Sequence, residues 1–275
     1  MRRILLLIGI VLFGYNCYSW DLSGIAGSRS NAMGNSSVAL NDFWSIQNNP
    51  AGLANCHFLS AGLSYENRFL MKELSYYNGA FVMPVKIGVF GLSFSRFGFE
   101  NYNENKIGLT YARAFGPHLK MGLKLDYLSF KFSGDYAKRR TATFEFGLQT
   151  DITDDLCFGV YIFNPINVKL KTTVNQHIPV VFRFGLSYKI TKDFLVTSEV
   201  EYNSESKFDY RIGLEYNTLK NFYIRVGVHT NPATACFGVG YTLNRVIIDV
   251  SATMNQYTGV SFQSSLIINI KEPKL

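Results

Sequence analysis

The stretch Phe208–Tyr216 reads FDYRIGLEY. Taken with period two it separates cleanly. Phe208, Tyr210, Ile212, Leu214 and Tyr216 fall on one face, and Asp209, Arg211, Gly213 and Glu215 fall on the other. A β-strand sends successive side chains to opposite faces, so this is a strand with one apolar and one charged surface. A charge facing mid-bilayer costs ~2–4 kcal/mol. If the strand crosses a membrane, its charged row must therefore face a lumen and its aromatic row the lipid.

The pattern is not local. From Phe58 onward the chain breaks into fourteen alternating segments joined by turn residues, at 57–66, 73–83, 88–98, 105–115, 118–131, 140–151, 155–163, 179–190, 193–203, 207–217, 221–230, 233–243, 245–255 and 259–270. About ten residues is the length of a tilted transmembrane strand. An even number of such segments predicts an all-β fold, a transmembrane antiparallel barrel of about 14 strands. A soluble sandwich rarely needs so many strands of such uniform length.

The links give the barrel a direction. Those after even-numbered segments are tight: Pro84-Val85-Lys86, Gly116-Pro117, Thr153-Asp154, Thr191-Lys192, Leu219-Lys220 and Leu243-Asn244-Arg245. Those after odd-numbered segments are mostly longer, and the longest runs from Asn164 to His177. Outer-membrane barrels have short periplasmic turns and longer outer loops, so the first strand rises from the periplasm.

The N-terminus agrees with export. Arg2 and Arg3 precede an apolar stretch from Ile4 to Tyr15, too short to span a bilayer, and Cys17-Tyr18-Ser19 ends on a small residue. We expect a leader over 1–19 with cleavage before Trp20. Of the 27 basic residues, Arg2 and Arg3 leave with it, so 25 face 20 acidic ones. That surplus is spread along the chain and argues against nucleic acid as a partner. Cys56, Cys157 and Cys236 are too far apart for a metal motif or a disulfide framework, and read as small fillers in strands. No nucleophile motif, metal spacing or phosphate loop occurs. The expectation is a non-enzyme without cofactor or metal.

The same parity assigns a lumen. Besides Asp209, Arg211 and Glu215, it turns inward Lys120, Lys124, Asp126, Glu145, Arg183, Lys189, Glu199, Glu201, Arg225, His229 and Asp249. Opposite signs sit on neighbouring strands, which predicts cross-strand ion pairs filling the interior. A weak repeat, Gly-Leu-x-Tyr, occurs at Gly108–Tyr111, Gly185–Tyr188 and Gly213–Tyr216, with a variant at Gly238–Tyr241. Its Tyr suits an interfacial girdle. Its Gly reads as relief of crowding by wall curvature.

Between leader and first strand lies GSRSNAMGNSSVALNDFWSIQNNPAGLA, Gly27–Ala54. A short helix over Ser30–Leu40 is expected, then a second turn capped by Asn41-Asp42 and ended by Asn48-Asn49-Pro50. The segment precedes strand one, so it can fold into the barrel mouth as a plug over 20–56. Ala32-Met33-Gly34, Val38-Ala39, Asp42 and Asn49-Pro50-Ala51-Gly52-Leu53 resemble the N-terminal hatch of FadL-type barrels, closest to the PorV/PorQ branch. The resemblance implies a hatch followed by a barrel over 57–271 and a tail over 272–275. It implies an outer membrane of a Bacteroidota-like Gram-negative bacterium, with outer-membrane lipid as surroundings. For function it implies first an accessory or scaffold barrel in an envelope complex for protein export of the type IX kind, with other envelope proteins as partners. The alternative is FadL-like passive transport of a hydrophobic ligand. Short loops and a charge-paired lumen favour the scaffold.

Overall fold

The computed structural model describes residues 24–132, 135–170, 176–206 and 208–271. The expected leader over 1–19, the start of the plug at 20–23 and the tail over 272–275 lie outside the described residues.

Fourteen strands close into an antiparallel barrel. They are β1 (Leu59–Asn67), β2 (Ser75–Val85), β3 (Gly88–Gly98), β4 (Asn103–Phe115), β5 (Leu119–Phe132), β6 (Asp135–Asp151), β7 (Leu156–Phe163), β10 (Val181–Lys189), β11 (Phe194–Asn203), β12 (Asp209–Leu219), β13 (Phe222–Thr230), β14 (Ala233–Leu243), β15 (Val246–Asn255) and β16 (Gly259–Lys271). Each strand pairs with its sequence neighbour in the wall, and β1 closes on β16 with Leu63 opposite Leu266. Closure leaves no edge strand, so every wall strand has a partner on both sides. Strand ends match the alternation closely. The exception is β6, which begins at Asp135 rather than near residue 140 because it continues pairing with β5 beyond an irregularity, with Phe132 opposite Asp135. The long link after β7 is not all loop: β8 (Lys169–Leu170) and β9 (Gln176–His177) form a small separate hairpin.

The wall follows the predicted parity. On β12, Arg211 is 7% exposed while Tyr210 beside it is 56% exposed. Leu63, Leu92, Leu109, Leu125, Phe184, Ile212, Val228 and Phe237 face outward among many other large apolar side chains. Such a continuous outward apolar surface is the surface of a barrel in lipid.

The buried apolar groups lie inside, in two clusters. One joins Val38 and Ala39 to Tyr76, Phe97, Leu128, Phe130, Tyr161, Phe163, Ile178 and Val181, with Leu74, Tyr102 and Val168 packed on it from the links after odd-numbered wall strands. The other joins Phe43, Trp44, Ile46 and Leu53 to Val82, Val89, Ala112 and Ile267 of the wall. A barrel of this size has an interior to fill, and residues 24–56 occupy much of it.

Candidate functional site

The N-terminal segment is built from short turns. A helix α1 (Ser28–Ala32) is followed not by more helix but by two left-handed residues, Gly34 (φ 64) and Asn35 (φ 62). The helix expected over Ser30–Leu40 is therefore wrong in length, since this pair ends it in the manner of a C-terminal cap. Asp42 and Ser45 then cap each other. Asp42 Oδ1 accepts from the Ser45 N–H at 3.1 Å, and Ser45 Oγ accepts from the Asp42 N–H at 3.1 Å. Helix α2 (Ser45–Asn48) stops at Asn49, which is extended (φ −159, ψ 105) as a residue before proline prefers. Pro50 opens a 3-10 helix, Pro50–Asn55, at the position where its missing N–H costs nothing.

The segment touches the wall through glycine. Gly122 of β5 and Gly147 of β6 are register partners, as are Gly159 and Gly185, and Gly213 and Gly227. A Cβ on Gly122 would collide with the main chain of Pro50 and Ala51, on Gly159 with Val38 and Ala39, and on Gly227 with Met33 and Gly34. Gly147 lies against Asn49, Gly213 against Met33, and Gly238 against Ala32. These inward glycines form a track on which the segment's backbone rests. The reason assigned to them from sequence, wall curvature, is thus incomplete. At Gly213, Gly185 and Gly238 the approaching groups include the segment's own atoms. Gly108 differs, because Lys124, Asp126 and Ser93 fill its space instead.

Wall side chains then hold the buried main chain of residues 37–40. Glu199 Oε2 accepts from the N–H groups of Ser37 and Val38, both at 2.7 Å. Gln149 Nε2 donates to the carbonyls of Val38 (2.9 Å) and Leu40 (3.0 Å), and Ser187 Oγ donates to Ala39 at 3.0 Å. Asn49 ties both sides together. Its Nδ2 donates to the carbonyl of Val38 at 2.6 Å and to those of Val160 (3.3 Å) and Leu148 (3.5 Å), while its Oδ1 accepts from Ala51 at 3.2 Å. Gly52 completes the fold of the segment, because a Cβ there would strike Ser45 and the Leu40 carbonyl. Such buried polar groups are stable only when paired.

Most of the buried charged residues fall into three groups. In the first, Lys106 and Lys124 both donate to Glu145 Oε1 at 3.1 Å, with Asp126 at 3.5 Å from Lys124. In the second, Arg211 bridges Glu201 (2.7 Å), Asp209 (2.8 Å) and Glu199 (2.9 Å). Arg183 sits looser, 3.8 and 4.0 Å from Glu201 and Glu199, and stacks 4.0 Å from the ring centre of Tyr161. In the third, Arg225 binds Glu215 and Asp249, each at 2.6 Å. Arg29 of the segment joins this group, holding Glu215 at 2.7 Å and Asp42 at 3.1 Å.

Two positions stand apart. Lys120 pairs with Asp151 at 2.7 Å, away from the three groups. Lys189 keeps the inward parity but is exposed at the rim that carries the short turns, so it is not part of the buried lumen. Lys106 was missed, although Glu104 and Lys106 show the same alternation as Gly108 and Thr110. Arg29 and Gln149 were missed too. Arg29 lies in a stretch without a period, and glutamine carries no charge to mark it. Cys157 and Cys236 are buried in strands, but Cys56 is not in one: it follows the 3-10 helix. Burial beside Asp42 pushes its thiol up to about 12.

Below the segment, at the end of the barrel that carries the short turns, lies a cavity of about 370 Å³. Segment residues 41–44 and 55–58 form one side, and β12 to β16 form the other.

No protein-family model matches the sequence, and no curated protein matches it. The fold does match solved structures. A FadL homologue from Pseudomonas aeruginosa superposes with TM-score 0.69 at 12% identity, covering 90% of this chain and 98% of that one. The Pseudomonas putida toluene transporter TodX gives 0.68 at 11%, with 90% and 97% covered. The Ralstonia pickettii toluene transporter TbuX gives 0.64 at 14%, with 91% and 98% covered. The chain spans almost the full length of each, so the closed fourteen-stranded wall described above is a FadL-type outer-membrane barrel fold.

Proposed function

We propose that this chain is an outer-membrane channel for small hydrophobic molecules, with residues 20–56 as its hatch. The observation that carries the reading is how the segment is held. It rests on glycines by main-chain contact and is fastened by a few side chains, rather than being woven into the wall's hydrogen-bond ladder. A body held in this way can shift without breaking the wall. The packed cluster around Tyr76, Phe97, Phe130 and Phe163 makes that part of the interior apolar, which favours a hydrophobic over a polar guest. Two of the structures with the same fold are toluene transporters, which adds support by analogy.

The test is uptake of a labelled monoaromatic hydrocarbon by cells carrying the barrel. Faster uptake than in cells without it, and a further change when the hatch is loosened, supports the reading. Uptake equal to that of empty cells refutes it. The scaffold reading, a PorV/PorQ-like subunit of a protein export complex, keeps one specific observation in its favour: the lumen charges are nearly all paired. Recovery of stoichiometric envelope proteins from mild detergent extracts, with no uptake, would select it.

A further inference from the structure

The cavity at the mouth that carries the short turns differs in character from the rest of the lumen. Phe43 and Trp44 of the segment, and Ile247 and Ile267 of the wall, give it an apolar side. The same cavity is lined by Arg29 and Arg225, which share Glu215, with Asp42 and Asp249 at the ends of the chain of pairs. Three carboxylates thus meet two guanidiniums among the described lining residues. Each guanidinium already has two carboxylate partners, so its charge is offset and does not favour an added anion. The surplus carboxylate repels one.

We propose that this cavity is a binding site for a small neutral amphiphile, an alcohol or phenol with a short apolar body, and not for a fatty-acid anion. About 370 Å³ lies in the usual range for small-molecule sites. The apolar side takes the body. The ion-pair side presents remaining N–H donors and carboxylate oxygens, which a hydroxyl can meet as both acceptor and donor. The site deepens the channel reading: it would be the last station before the periplasm, and its ligand class sets what the channel passes. Because segment residues 41–44 form one side, occupancy and hatch position are linked.

Trp44 gives a direct readout. The chain has two tryptophans, Trp20 and Trp44, so Trp20→Phe leaves one reporter on the cavity wall. The purified barrel in lipid nanodiscs is titrated with ω-bromo-octanol and, separately, ω-bromo-octanoate at about pH 8, where a carboxylate is ionised. Bromine quenches tryptophan only near contact. The expected result is saturable quenching by the alcohol, with the carboxylate weaker by roughly tenfold or more. Thr242→Phe and Asn269→Phe, each filling the cavity from a different strand, should abolish the saturable phase while heat-modifiable mobility shows a folded barrel. Equal or tighter binding of the carboxylate overturns the ligand class. Quenching that never saturates, or that persists in both filled variants, overturns the site. Saturable binding without uptake would sink the channel reading and leave the site standing, whereas uptake without saturable binding would do the reverse.

Discussion

Gly227→Ala is the sharpest perturbation of the segment's seat. The added methyl would lie under 3.0 Å from the Gly34 nitrogen, the Met33 carbonyl carbon and the Gly34 Cα, all main-chain atoms. Ordinary contact starts near 3.4 Å, so the chain at Met33–Gly34 must withdraw by roughly an ångström. It cannot simply turn aside. Gly34 is at φ 64, and its own Cβ position is already hemmed in by main-chain atoms of Val228 and Ile212. Overpacking of this kind costs about 1–3 kcal/mol, equivalent to about a five- to 150-fold rise in the undocked population. The wall should not share the cost, because alanine is tolerated in a strand and the pairing of Gly213 with Gly227 is made by main chain. Limited proteolysis of intact outer membranes reads the segment, and heat-modifiable mobility reads the barrel. Gly79→Ala is the control, since its nearest neighbour would be the Leu63 methyl at 3.4 Å. We expect faster cleavage of the segment in Gly227→Ala and unchanged cleavage in Gly79→Ala. Identical protection in both variants would refute the glycine-track argument, and so would loss of the folded barrel in Gly227→Ala.

Two further predictions follow from the polar contacts. Asn49→Ala leaves the Val38 carbonyl with Gln149 as its remaining side-chain donor and removes the acceptor for Ala51. It should loosen the segment by about 1–3 kcal/mol without lowering barrel recovery, measured by hydrogen exchange of residues 37–52; unchanged exchange would count against Asn49 as an anchor. Arg211→Glu leaves Asp209, Glu199 and Glu201 without their shared cation and adds a fourth negative group. Both Arg211→Glu and Arg211→Met break these buried pairs, at about 3–5 kcal/mol, but the glutamate also adds like-charge repulsion, so folded yield should fall in both and further in Arg211→Glu; equal yields would show that the group is not electrostatically coupled.

The alternation in FDYRIGLEY and its thirteen counterparts was enough to define the wall. Lipid outside and polar groups inside impose a strict period of two, and a closed ladder leaves each strand little freedom in register. That is why strand ends agree and why Arg183, Glu199, Arg211 and Arg225 can be assigned a face from sequence. The partners are another matter. Parity places Glu199 inward, but it does not show that one of its oxygens serves the Ser37 and Val38 amides while the other serves Arg211. Of the inward glycines, Gly185, Gly213 and Gly238 were visible in a repeat while Gly122, Gly159 and Gly227 were not, and the cause was hidden for all of them, because it lies in a chain segment distant in sequence. That segment has no period, and its helix, turns and 3-10 helix are set by local caps and by the wall it meets. Its place inside the barrel, Arg29 on Glu215 and the cavity beneath it exist only once the sheet has closed, since closure brings residues 24–56 into contact with strands drawn from nearly the whole chain.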